Sequence, residues 1–250
     1  MPPSYDWSIA NLGFSQRLEG DEMHGEVAIS DVIRVPGTSM VRPSVIAKLA
    51  DVATGALAHR TTAPRIALTV DLAVHSLSVP ESGRLAMVAH LVKAGRTTII
   101  GESRFAEPGG ERPVAIAHAT FTPSPRPQDV QADTRGPRTS APDPLGSPYA
   151  EQVGARVVRP GVAEVDHHPA ILQASGTIQG GVIALLGELA AESLKGMPVI
   201  GLEVRYLSTV RVGPARATAT GMGGAVVRVE VRDAGNHVRL ASLIMARTRE

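Results

Sequence analysis

The sequence predicts an α+β protein in which one folding unit occurs twice, each copy a single helix set among five or six strands. Three observations carry this. A stretch with almost no large apolar residues splits the 250-residue chain near its middle. The segments on either side of it match each other in order. Each side holds one Ala/Gly-rich helical run among alternating or β-branched runs.

Taken in order, "GFSQRLEGDEMHGEVAIS" (13 to 30) alternates as strands do. A helix is expected over about Ser44 to Arg60, with Ala and Gly on most of its faces. "RIALTVDLAVHSL", "RLAMVAHLVKAG", "RTTIIGESRFAE" and "PVAIAHATFT" then read as strands, with "EPGGE" as a turn. Residues 123 to 148 are dense in Pro, Ser, Asp and Arg, cannot bury a core, and are expected to form an extended linker. They separate an N-terminal domain, 1 to 122, from a C-terminal domain, 149 to 250. In the second domain "GARVVRPGVAEVD" precedes a helix expected from about Gly181 to Lys195, stopped by Gly196 and Pro198. "PVIGLEVRYLS", "RATATGM", "AVVRVEVRD" and "HVRLASLIMAR" complete it, with the turn "DAGN". A helix this rich in Ala and Gly admits close approach of a sheet wrapped around it.

The internal match is specific in its order. "PSVIAKLAD" (43 to 51) parallels "GGVIALLGE" (180 to 188), so Leu49 meets Leu186 and Asp51 meets Glu188. "LSVPESG" (77 to 83) parallels "LSTVRVG" (207 to 213), and "PVAIAHATF" parallels "HVRLASLIM". Several matches in register argue for duplication.

Composition narrows the function. Net charge is +1 and the Arg residues are scattered, so no field points to nucleic acid. Aromatic residues are 3%, too few for base-stacking platforms. The absence of Cys excludes disulfides, thiolate zinc sites and a Cys nucleophile. "MPPSYDWSIANLGF" lacks the basic and apolar regions of a secretion signal, and no uncharged apolar run is long enough to span a bilayer. A cytoplasmic protein with no membrane partner is expected. "DHHP" (166 to 169) is read as a loop rather than a metal site, because adjacent strand residues point to opposite faces. His75, His90 and His118 are isolated along the chain. Neither a nucleophile elbow nor a phosphate loop or dinucleotide fingerprint is found, and no metal or cofactor is expected.

The ordered set of "LAD" on an Ala/Gly-rich helix, "TVDLAVHSLSVPESG" and "VKAGRTTIIGESRF" resembles the hotdog-fold acyl-CoA thioesterases of the phenylacetate and 4-hydroxybenzoyl-CoA types. "GTIQGG" (176 to 181) resembles that family's Gly-Thr-Leu-His-Gly-Gly helix start. The resemblance covers nearly the whole chain outside the linker. It implies a double hotdog, each half an antiparallel sheet around one central helix. It also implies a thioester hydrolase of lipid metabolism acting on acyl-CoA, and further association into a homo-oligomer.

In that family the site lies between two units. One gives a helix-start Gly N–H and an Asn or Gln seven residues earlier; the other gives a mid-helix carboxylate and often a Ser or Thr on the next strand. Carried over, Gly180, Gln173, Asp51 and Thr69 fill these roles at one composite site. Gln179 stands where many members have His, with Gly181 beside it as a further substrate-binding candidate. At the other composite site Pro43 replaces the donor and has no N–H. Pro36 takes the Asn/Gln place, Val199 the Ser/Thr place, and only Glu188 remains. One working and one degenerate site per chain are expected.

The chemistry fits these residue types. A helix N-terminus offers unpaired N–H groups and a positive dipole end to a developing oxyanion. Losing one such donor costs roughly 10²–10³ in rate. A carboxylate on a largely apolar helix has the setting for a raised pKa and general-base work through water, and direct attack is the alternative. Lys93, Arg96 and Arg211 are candidates for the CoA phosphates. Each also has a structural reading: Asp51 as a loop cap, Thr69 as an ordinary strand residue, Gly180 and Gly181 as packing glycines. Two other functions share the fold. The enoyl and hydroxyacyl thioester hydratases resemble an Asp-x-Asn-Pro-x-His loop that is missing here. A degenerate acyl-CoA-binding protein would keep the fold without turnover.

Overall fold

The computed structural model describes residues 12–125, 146–173, 176–236 and 239–249. Most of the expected linker, residues 126–145, lies outside them, as do residues 1–11 at the start of the chain.

The described chain forms β1 (Phe14–Glu19), β2 (Glu22–Ala28), α1 (Pro43–Thr62), β3 (Ala67–Ser76), β4 (Arg84–Ala94), β5 (Ile99–Ala106) and β6 (Pro113–Pro123). A short helix, α2 (Tyr149–Gln152), follows, then β7 (Arg156–Arg159), β8 (Val162–Val165) and α3 (Gly180–Lys195). β9 (Val199–Tyr206), β10 (Ala215–Gly223), β11 (Val226–Asp233) and β12 (Arg239–Thr248) complete it. The helix α1 starts one residue earlier and ends two later than expected. Pro43 at its first position needs no N–H partner, and the residue before Pro64 disfavours helix. Gly196, at φ +67°, closes α3 by donating its N–H to Glu192 O at 2.7 Å.

All strands join one antiparallel sheet in the order β1-β2-β4-β5-β6-β3-β9-β12-β11-β10-β8-β7. Read inward from either edge, corresponding strands come in the same order, so the duplication seen in the sequence is also one of topology. The two arrays meet at β3 and β9, where Asp71 faces Arg205 and His75 faces Gly201. The helices pack on the sheet and on each other; residues 43–50 of α1 and 181–191 of α3 are all buried. Close packing on α3 needs glycine: a Cβ at Gly187 would come within 2.4 Å of Ile244 Cδ1. This is the physical use of the Ala/Gly-rich helices, since small residues let the sheet wrap tightly.

Candidate functional site

Asp51 lies midway along α1, and β3 begins a few residues after that helix ends. The short connection and a register irregularity between Thr69 and Asp71 set the Thr69 side chain toward the helix. Thr69 Oγ1 donates to Asp51 Oδ1 at 2.7 Å, fixing the carboxylate.

The start of α3 comes to the same region from the other half. Its incoming strand is pinned by Ile178 N–H to Val210 O at 3.1 Å and Gln179 N–H to Ile171 O at 3.0 Å. Among the described residues, the N–H groups of Gly180 and Gly181 meet no hydrogen-bond acceptor. Gln173 Nε2 donates to Thr177 Oγ1 at 2.6 Å, so this side chain braces the loop ahead of the helix.

Two residues that sequence reasoning missed complete this end. A Cβ on Gly180 would sit 3.0 Å from the Tyr206 hydroxyl oxygen, and one on Gly181 would sit 2.8 Å from Lys48 Cβ. The paired glycines therefore make room for Tyr206 and Lys48, which is the packing use that the sequence offered beside room for substrate. Lys48 Nζ donates to Gln179 Oε1 at 2.6 Å and lies 5.6 Å from the centre of the Tyr149 ring. This assigns the Gln179 carbonyl to the protein's own lysine. Tyr206 donates from its hydroxyl to Gly180 O at 3.0 Å. Burial, and then the negative charge of Asp51, push this phenol well above its ordinary pKa. The sequence did hold a signal for Lys48. It precedes Asp51 by three residues, and so shares its face of a helix otherwise almost free of charge. Tyr206 had none, because its place depends on how β9, paired there with Ser242 of β12, runs past the start of α3.

The opposite end is closed. Glu188 is fully buried, and its Oε1 accepts from Arg42 Nη1 at 2.7 Å. Its Oε2 accepts the backbone N–H of Ser44 at 2.8 Å. Ser44 is the repeat counterpart of Gly181, so Glu188 caps a helix start whose equivalent at the Asp51 end meets no acceptor among the described residues. Pro43 contributes no N–H there, Pro36 is exposed, and Val199 is buried with its N–H 3.4 Å from Glu192 Oε1. Arg42 also donates to Glu192 Oε2 at 3.1 Å. Burial opposes the Arg42 charge, but Glu188 and Glu192 hold it. Burial, then repulsion from Glu188, lifts the Glu192 carboxyl to about 7.

The candidate phosphate partners stand at the Thr69 end of the sheet. Thr69 faces Phe121, Phe121 faces Ile99, and Ile99 faces Ala94. Lys93 and Arg96 border that last pair in an exposed hairpin, three strand spacings or roughly 14 Å across. Arg211 is exposed in the loop after β9, where Asp233 binds the N–H groups of Arg211, Val212 and Gly213 at 2.8–3.2 Å. "DHHP" is a loop leading into a short 3₁₀ turn, as expected, with His168 Nε2 3.0 Å from Val153 O. Among the described residues no group of His, Asp and Glu is arranged to hold a metal. No helix is long and apolar enough to cross a membrane. A hollow of about 620 Å³ adjoins the loop from Asp31 to Ser39, ahead of α1, and does not include Asp51.

A continuous antiparallel sheet packed against two central helices places this chain in the hotdog class of folds. The solved structures agree. The 12:0-ACP thioesterase from Umbellularia californica is 12% identical, covers 93% of this chain and 99% of its own, and superposes with a TM-score of 0.65. An acyl-ACP thioesterase from Bacteroides thetaiotaomicron is 10% identical over 92% of this chain and 98% of its own, with a TM-score of 0.62. A protein of unknown function with a hot dog fold from Alicyclobacillus acidocaldarius is 14% identical over 99% of both chains, at 0.57. At these identities the likeness is one of fold. No family model and no curated protein matches the sequence.

Proposed function

We propose that the chain is a double hotdog, with units 1 to 122 and 149 to 250 joined by residues 123 to 148, and that it hydrolyses acyl thioesters at one composite site. The observation that carries this is the asymmetry of its two ends. At one end the Asp51–Thr69 pair stands with a helix start whose N–H groups are open. At the other, Glu188 and Arg42 occupy the corresponding place. The names of the Umbellularia and Bacteroides structures support a thioester substrate. We favour CoA as the thiol carrier, held by Lys93, Arg96 and Arg211, with acyl-carrier protein the carrier those names point to.

The substrate carbonyl oxygen would lie at the α3 start, where the N–H groups and the positive dipole end offset its growing charge. Asp51 supplies the attacking oxygen in one of two ways. If it deprotonates a water, that oxygen adds to the carbonyl carbon, the carbon–sulfur bond breaks to give the free acid, and the proton held by Asp51 passes to the leaving thiolate. If its own oxygen attacks, the thiolate leaves an Asp51–acyl anhydride, and a water then hydrolyses that anhydride, regenerating the carboxylate, releasing the acid and supplying the thiolate's proton. No cofactor takes part in this scheme. A cytoplasmic location and a homo-oligomer of the two-unit chain belong to the same reading.

Release of free thiol from a panel of acyl-CoA and acyl-ACP substrates tests it. Turnover on at least one is expected, and Asp51→Asn should lower it by roughly 10²–10⁴. Glu188→Gln should keep most of the activity of the folded fraction. Tight acyl-CoA binding without turnover would replace the hydrolase with a binding protein. Loss of activity in Glu188→Gln with Asp51→Asn active would exchange the two ends. A single turnover in ¹⁸O-water tests for direct attack: label found in Asp51 marks it, through hydrolysis of the anhydride at the aspartyl carbonyl.

A further inference from the structure

The open end carries a side chain with no counterpart at the closed one. Tyr206 ends β9, and in the repeat it corresponds to Ser76, the last residue of β3. Its hydroxyl donates to the carbonyl oxygen of Gly180 at 3.0 Å, with the ring lying where a Cβ of that residue would project. Gly180 C=O and Gly181 N–H are the two ends of one planar peptide group. A hydrogen bond accepted by the oxygen draws electron density along that group and makes its N–H a stronger donor. It also fixes the plane, and with it the N–H direction.

The closed end shows what this N–H position holds. The Ser44 N–H, counterpart of the Gly181 N–H, binds a carboxylate oxygen of Glu188 at 2.8 Å. The protein thus places an anionic oxygen on that group in its own fold. No such side chain occupies the Gly181 N–H among the described residues.

Resting on the hydrolase reading above, we infer that Tyr206 is a positioning residue that orients and polarises the Gly180–Gly181 peptide, and that the Gly181 N–H, in place of the Gly180 N–H to which the family resemblance gives that role, is the principal oxyanion donor. Tyr206 acts through the backbone and does not touch the substrate. Burial and the nearby Asp51 charge keep its hydroxyl protonated, so it stays a donor throughout the neutral range.

Tyr206→Phe keeps the ring against Gly180 and removes only the hydroxyl. With the full chain, kcat should fall about tenfold, less than for outright loss of a donor, while KM stays within about twofold. In a ¹⁵N-glycine-labelled sample the Gly181 amide proton should move upfield. Ser76→Ala, at the closed end, should change none of these. A Tyr206→Phe enzyme with wild-type kcat, in a chain that Asp51→Asn inactivates, would overturn the inference. If the wild type hydrolyses no thioester, the hydrolase reading falls by itself. An unmoved Gly181 resonance in Tyr206→Phe would then still overturn the coupling.

Discussion

Gly181 shows how far one residue can be read from sequence. Two glycines at a helix start suggest that something must come close to the backbone, and that much holds. What comes close is the stem of Lys48, whose Cβ would lie only 2.8 Å from a methyl group at position 181. Those stem atoms sit on a buried helix and cannot swing away as the tip of a surface lysine would. Gly181→Ala should therefore destabilise the protein by about 1–3 kcal/mol, the usual range for overpacking. Denaturant titration checks this; a midpoint equal to wild type would mean that α1 and α3 slide past each other freely. The pairing of Asp51 with Thr69 was legible in the sequence, through the family resemblance. Lys48 was not singled out, and its bond to Gln179 depends on how the two helices meet.

At the scale of elements, α1 and α3 share the "VIA" core but exchange different charges. Arg42 at the start of α1 meets Glu188 and Glu192 on α3, and all are largely withdrawn from water. Removing one partner of a buried pair leaves an uncompensated charge, so Arg42→Met should cost about 3–5 kcal/mol. Circular dichroism melts would register it, and a loss below about 1 kcal/mol would show that solvent reaches Glu188. Glu192 adds a pH dependence of definite sign. Its folded pKa of about 7 exceeds its ordinary value of 4.5. Between these values the folded chain keeps a proton that the unfolded chain releases, so stability falls as pH rises through this window. The wild-type Tm should fall between pH 5 and 7.5, and Glu192→Gln should flatten the part of that slope due to this group. Equal slopes in both proteins would rule the coupling out. The sequence could match Glu188 to Asp51 by register, but it held no sign that Arg42 would fold back onto this acid.

Across the whole molecule, the two repeats share a sheet through β3 and β9 and a helix contact between α1 and α3. Neither half has a finished edge at that seam, because the inner strand of each is hydrogen-bonded only on one side without the other. Calorimetry should show a single cooperative transition; two resolved transitions would mean that the seam opens before the halves unfold. The repeated order of helix and strands was readable, because periodicity and repetition are local properties of the chain. The family resemblance implied an antiparallel sheet around one helix in each half; that the two are one continuous sheet, and in what strand order, waited for the structure.

The sequence by itself determined that the unit is repeated, that each copy is α+β, and that Pro43 removes a donor from one helix start. These follow from residue type and spacing, which need no knowledge of what lies across the fold. Only the tertiary structure decided what fills the space beside the glycines, which acid is sealed by Arg42, and which peptide Tyr206 grips. Those contacts join residues as far as 146 positions apart, as Arg42 and Glu188 are. Their geometry is set by the packing of two helices under one sheet, and no local pattern encodes it.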